Sequence, residues 1–260
     1  MSAARIALEQ SDGVARLTID HPARHNAMTR AMWSELAKII DELDASPAAR
    51  AILVSGSGAN FSSGADAVEL VDAVTSEAAA LEYLLHMEAA IDRLATCGKP
   101  TIAIVRGGCH GAGCAIAAAC DLRFAEEAAR FSITPAKLGL AYSVTSTKRI
   151  VDLVGPARTK DLLFSARVVS AQEARDAGLV DFVFPLNDVE TEANKYVANV
   201  VRLSAYSHRA NKRNVEIALT GAAQDTDETR RAFVAAFSGE DFLEGIAAFR
   251  AKRQPRFTPH

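Results

Sequence analysis

Cysteine is scarce in this chain: there are four in 260 residues, Cys97, Cys109, Cys114 and Cys120. Their spacing fits neither a CxxC metal clip nor the dense framework of a small secreted domain, so buried free thiols are expected and no metal site. Long apolar runs are missing too. No stretch approaches the roughly 18 to 20 residues a membrane helix needs. The opening "MSAARIALEQ" has no signal-peptide core, so the expected location is the cytoplasm, with no membrane partner. A formal net charge of -3 gives no basic field, which argues against nucleic acid as a partner and leaves room only for a local basic pocket. There is no Gly/Pro/Ser-rich linker and no repeat of fixed long period. No GK[ST] follows a glycine turn, and no clean G-x-G-x-x-G sits at the first strand. A dinucleotide oxidoreductase therefore has little support.

What is present is ordinary globular material, 49% hydrophobic and 23% charged, enough for one large α/β domain with a substantial core. "VARLTID", Val14 to Asp20, alternates as a strand does. Thr29 then stands as an N-cap for a helix whose Met32, Leu36, Ile39, Ile40 and Leu43 recur at helical spacing, and "RAILVSGSG" follows as a second strand. Strand, helix, strand is the unit of parallel sheets. The pattern repeats with a helix over Ala78 to Leu94, whose Leu84, Met87, Ile91 and Leu94 share a face, and a continuous apolar strand in "KPTIAIVRGG". "DLRFA" and "ARFSI" predict two short strands. From about Val144 the chain reads as helical, interrupted by "LVDFVFP". The natural division is an α/β core over 1-200 and a helical region over 205-260.

Two glycine turns carry the chemical interest. "GGCHGAG" follows an apolar strand and opens into "CAIAAACD", presenting unpaired N–H groups at a helix start, where an anion or developing oxyanion can sit. "GANFSSGADAVEL", Gly58 to Leu70, repeats that logic at the end of another strand. Two such turns can converge on one carbonyl oxygen, a more specific signal than either alone.

Six blocks, "HPARHNAM", "FSSGADAVEL", "GGCHGAGCAIAAACDLRFA", "FSITPAKLGL", "SAQEARDAGLVDFVFP" and "EGIAAFRAKRQPRF", occur in the order and spacing of the enoyl-CoA hydratase/isomerase (crotonase) superfamily. The chain resembles that family over nearly its whole length. The resemblance implies an α/β spiral of ββα units with a helical C-terminal trimerisation region. It implies a substrate held as a coenzyme A thioester with no permanently bound cofactor, and a homotrimer or dimer of trimers. It places the two oxyanion-hole amides on Ala65 and Ala112; the main chain does the work, so alanine preserves both.

The resemblance breaks at the acids. Hydration of a conjugated thioester needs a base for the water and an acid for the α-carbon. Typical hydratases of the family place glutamates where this chain has Ala115 and Pro135, or Ala136 if the prolines are aligned instead. Ordinary two-glutamate hydration and the single-glutamate isomerisation are therefore both unsupported. Replacement groups are sought in His110, Glu69, Asp72 and Tyr142. Against them stand plainer readings: a solvated or structural His110, an exposed helix face for Glu69 and Asp72, and packing for Tyr142. His86, four residues after Glu82, reads as a surface pair. Ser143 stands where a dehalogenating branch keeps an aspartate, and Asp121 reads as structural. Substrate contacts are expected from Ser63, Asp66, Gly111 and Pro135, with Arg24, Phe233, Phe249 and Lys252 near the nucleotide end. Two functions compete: an acyl-CoA enzyme with unusual acid/base groups, and an acyl-CoA-binding protein without chemistry.

Overall fold

A computed structural model describes residues 4–73 and 75–258, with Asp72 and Ala73 placed by their backbone only. The N-terminal hairpin pairs β1 (Arg5–Ser11) antiparallel with β2 (Val14–Asp20). Helix α1 (Arg30–Ala45) follows, and the Thr29 hydroxyl accepts from the Met32 N–H at 3.2 Å, the expected cap. Its Met32, Trp33, Leu36, Ile40 and Leu43 are buried. Next come β3 (Ala51–Gly56), α2 (Ala67–Ala73), α3 (Glu77–Thr96) and β4 (Thr101–Val105).

The chain then makes a short strand β5 (Gly108–His110), α4 (Ala112–Ala119), β6 (Leu122–Glu126) and β7 (Arg130–Ser132). A 22-residue element α5 (Val144–Ser165) contains Gly155 at φ 76°, ψ 166°, with Pro156 after it. It is therefore two helices meeting at a kink, because proline cannot donate the bond that would carry the first onward. β8 (Val169–Ser170), α6 (Ala171–Ala177), β9 (Phe182–Phe184) and α7 (Val189–Val200) close the α/β part.

These strands form two sheets, a six-stranded one ordered β1-β2-β3-β4-β6-β9 and a three-stranded one ordered β5-β7-β8. In the larger sheet every pairing after the first is parallel. Its central strands β3 and β4 are largely apolar because both faces are covered. Ile52, Val54, Ala103 and Val105 enter a core shared with α1, α3 and α4, while Leu53, Ile102, Ile104 and Phe124 pack with Val189, Ala193 and Val197 of α7. Such a run reads as a doubly covered parallel strand.

Three helices end the chain, α8 (Ala205–Leu219), α9 (Asp227–Ala236) and α10 (Glu240–Arg250). Among the described residues of these helices only Ala248 is buried. No helix of the described chain is long and apolar enough to cross a membrane.

Candidate active site

The parallel strands β3 and β4 both run into glycine-containing loops, and the two loops are stitched together by their main chains. The His110 N–H donates to the Ser62 carbonyl at 2.9 Å, and the Ser62 N–H donates to the Gly108 carbonyl at 3.1 Å. Contact this close demands glycine. A Cβ on Gly64, which has φ +100°, would stand 2.8 Å from the His110 oxygen and 2.9 Å from the Ala112 nitrogen. A Cβ on Gly113 would meet the Ser62 oxygen at 2.5 Å.

This packing brings Ala65 and Ala112 into one cavity wall. The Met28 bridge beside Ala65 uses the Gly64 carbonyl and the Asp66 N–H, which leaves the Ala65 N–H out of the pairing. Ala112 is the first residue of α4, so its N–H has no carbonyl one turn earlier to meet. Neither amide has a protein acceptor among the described residues. Both are unpaired N–H groups of residues that line the cavity.

The cavity is about 970 Å³ and predominantly apolar. Leu84, Met87 and Ile91 of α3 form one side, so the apolar stripe of that helix serves both core and cavity. Ala115 lies in the first turn of α4, 2% exposed, and its methyl group lines the space. Pro135 begins a 3-10 helix, Pro135–Leu138, and lines the cavity, while Ala136 is exposed and does not. Carbon therefore occupies both positions where the resemblance would put a carboxylate.

Of the acids on this wall, Asp66 is buried and fully engaged. Its two oxygens accept from Arg24 at 2.7 and 2.8 Å, and one accepts from the Val68 N–H at 2.9 Å. Burial pushes its pKa up, but the bonds to Arg24 and Val68 outweigh that and hold it below the ordinary carboxylate value. Asp66 thus stays ionised as a partner for Arg24. Glu77, at the exposed start of α3, is the other carboxylate lining the cavity among the described residues. Ser63 lines it too and donates to the Arg24 carbonyl at 3.2 Å.

Three expected acid/base groups are placed elsewhere or left open. Glu69 accepts from the Arg30 N–H at the start of α1 and is absent from the cavity wall, so its carboxylate serves as a helix-end partner. His110 is turned away as well: its Nδ1 pairs with Ser132 Oγ at 2.8 Å, and burial, with Lys137 nearby, lowers its pKa. The side chain of Asp72 lies outside the described residues. Tyr142 does line the cavity, and its hydroxyl donates to the Gly111 carbonyl at 3.2 Å. Gly111 itself lines the wall and donates its N–H to the Ser132 carbonyl.

Other residues take structural posts. Ser143 caps α5, accepting from the Ser146 N–H at 3.3 Å. Asp121 accepts from Thr101 and Lys212, tying β4 to α8. His86 faces Glu82 at 3.8 Å and also meets Ser34 Oγ at 3.0 Å. Phe233, Phe249 and Lys252 are exposed and stand off the cavity wall of this chain. No group of three His, Cys, Asp or Glu residues among the described ones could hold a metal ion. Sequence reasoning missed Tyr83, Thr134 and Ser146, which also line the cavity. Tyr83 had a signal, because it lies four residues before Met87 on the same face of α3.

A family model described as enoyl-CoA hydratase/isomerase matches residues 9–260. A protein of Mycobacterium tuberculosis named as a probable enoyl-CoA hydratase is 34% identical over 254 residues, 97% of each chain. The short-chain-enoyl-CoA hydratase of Clostridium acetobutylicum is 32% identical over 254 residues, covering 96% of this chain and 95% of its own. A solved structure from Hyphomonas neptunium bearing the enoyl-CoA hydratase/isomerase family name superposes with a TM-score of 0.95 at 35% identity, covering 98% of both chains.

Proposed function

Because the chain belongs to the enoyl-CoA hydratase/isomerase family and has its crotonase fold, we propose that it processes acyl-CoA thioesters by stabilising a thioester enolate between the Ala65 and Ala112 amides. The observation that carries this reading is the meeting of two unpartnered amides on one apolar cavity. Fixed donors aimed at developing charge in a dry site each contribute about 3 kcal/mol in comparable oxyanion holes. The thioester oxygen binds there and the acyl chain lies against Leu84, Met87 and Ile91. No resident cofactor takes part; coenzyme A belongs to the substrate.

Arg24 extends toward the nucleotide end, with half of its surface free although it holds Asp66. Phe233, Phe249 and Lys252 approach that end from a neighbouring copy in a homotrimer or a dimer of trimers. The reaction is not the two-glutamate hydration, because Ala115 and Pro135 cannot carry protons. A second reading, an acyl-CoA-binding protein without chemistry, draws support from the pairing of Asp66, which leaves the inner cavity without a free carboxylate.

Calorimetry with butyryl- and octanoyl-CoA, followed by turnover on enoyl-, dienoyl- and hydroxyacyl-CoA thioesters, tests both. Binding with turnover is the expected result. Binding alone favours the second reading, and absence of binding overturns both. The double variant Ala115→Glu, Pro135→Glu should gain hydratase activity if only the acids are missing.

A further inference from the structure

Two hydroxyls reach Gly111, the residue before the Ala112 amide. Tyr142 Oη donates to the Gly111 carbonyl at 3.2 Å. Thr134 Oγ1 lies 3.1 Å from the point where a Cβ on Gly111 would stand. Thr134 also holds an N-cap position, before Pro135–Leu138, yet its side chain makes no capping bond. A threonine so placed ordinarily accepts from the following turn, a bond whose loss costs about 1 kcal/mol. Here the hydroxyl has no protein partner among the described residues, and the side chain lines the cavity.

An unpaired hydroxyl in a predominantly apolar wall is a site for a water molecule or a substrate atom. Neighbouring positions point the same way: the side chains of Ala115 and Pro135 offer no polar atom, so the side-chain polar groups beside Gly111 are the Thr134 and Tyr142 hydroxyls. A neutral hydroxyl cannot act as a base near pH 7, but it can both accept from and donate to a water and so fix it in place.

Resting on the acyl-CoA reading above, we propose that the Thr134 hydroxyl, with that of Tyr142, holds the water that exchanges a proton with the α-carbon of a thioester seated at Ala65 and Ala112. In the protonating direction the enolate carbon takes a proton from this water. A C–H bond forms from the enolate electron pair, the thioester C=O is restored, and one O–H bond of the water breaks. The hydroxide left behind accepts from the Thr134 hydroxyl and donates its own O–H to the Tyr142 oxygen, whose proton stays on the Gly111 carbonyl, until it exchanges with solvent. In the reverse direction a hydroxide at the same place removes the α-proton and departs as water.

With no side-chain base in the step, exchange follows hydroxide concentration and does not level off at a carboxylate pKa. Tyr142 remains a donor throughout, since burial raises its pKa well above the ordinary phenol value. The groups facing it are the Cys114 thiol of α4 and the Cys109 thiol of β5, which raise it further, and Arg149 of α5, which opposes them.

The test is α-proton exchange of octanoyl-CoA in D2O, followed by NMR, with affinity measured in parallel by calorimetry. Wild-type protein should exchange the α-protons at a rate rising about tenfold per pH unit between about pH 7 and 9. Thr134→Val should slow exchange at least about tenfold with affinity unchanged, whereas Thr134→Ser should stay within about threefold of wild type. If Thr134→Val does not fold, Thr134→Ala takes its place with the same expectation. A Thr134→Val or Thr134→Ala protein as fast as wild type overturns the proposal, as does a rate that levels off with pH, or binding with no exchange. Failure of the wild type to bind octanoyl-CoA at all overturns the acyl-CoA reading itself.

Discussion

Gly64 stands where the two amide-bearing turns touch, and its missing side chain is a condition of the site. Gly64→Ala would put a methyl 2.8 Å from the His110 oxygen at a φ of +100°, so the turns must separate. Strain of this kind costs about 1–3 kcal/mol. The variant should melt at a lower temperature and bind acyl-CoA more weakly; an unchanged melting curve with unchanged affinity would refute the close contact. At the neighbouring Asp66 the sign of a pH effect can be worked out. Its folded pKa is depressed below 3.8 by Arg24 and the Val68 amide despite burial. The pair therefore stabilises the protein above that ordinary value, and the contribution disappears as pH falls through the folded value. Arg24→Met should lower the melting temperature near neutrality, and the gap to wild type should close below about pH 4. A gap that stays constant into acid would show that Arg24 acts by packing alone. The thiols give a third residue-level expectation. All four cysteines are buried, and burial pushes Cys97 up to about 11 and Cys120 up to about 12. Since the thiolate is the reactive form, native protein at pH 8 should take up almost no iodoacetamide, whereas the unfolded chain takes it up readily.

Elements were legible in the sequence in proportion to how strongly their periodicity was enforced by burial. The helix α1 and the strands β2, β3 and β4 follow from apolar spacing because each packs one stripe or two covered faces into the core. The edge strand β1 has Ile6 buried while Leu8 is exposed, so its alternation is too weak to announce a strand. Strands β5 and β8 are two or three residues long and are fixed by partners far along the chain. The same limit applies to the site. The amide turns and their possible convergence could be read from glycines after apolar strands, but the assignment of the two amides to Ala65 and Ala112 came from the family resemblance. The pairing of Arg24 with Asp66 spans 42 positions and leaves no local trace. Thr134 was hidden behind the proline that follows it. Helix α10 offers a test at its own scale. Glu244 accepts from both Arg253 terminal nitrogens, at 2.6 and 2.8 Å, and from the Arg256 N–H at 2.6 Å, which folds the tail back onto the helix. These bonds lower the Glu244 pKa to about 2. The tie is thus complete above the ordinary 4.5 and is lost as pH falls through about 2. Glu244→Gln should speed amide exchange in residues 253–258 at neutral pH, and equal protection in both proteins would show the contact to be idle.

For the whole molecule, the unresolved balance lies in the last three helices. They form regular, well-capped structure, with Thr226 and Thr229 making a reciprocal cap at the start of α9, yet their described residues bury only Ala248. Phe233, Phe237 and Phe242 instead meet ring to ring, with centroids 5.4 and 5.1 Å apart, while each stays well exposed. Phe249, 82% exposed, and Leu243 add to that apolar surface. A helix with an apolar face stabilises a fold only when that face leaves water, and exposed patches of this kind mark association surfaces. The partner implied by the family resemblance is a second copy of the chain. Sedimentation of purified protein at about 10 μM should therefore give a trimer or a multiple of three, in the range where interfaces of ordinary size are saturated. The double variant Phe233→Asp, Phe249→Asp should shift the mass downward while leaving the α/β core folded by circular dichroism. Because Phe233, Phe249 and Lys252 stand off the cavity of their own chain, the dissociated variant should also hold acyl-CoA less tightly. A wild-type protein that sediments as a monomer at that concentration would remove the neighbouring copy from the site and leave Arg24 as its cation for the nucleotide end.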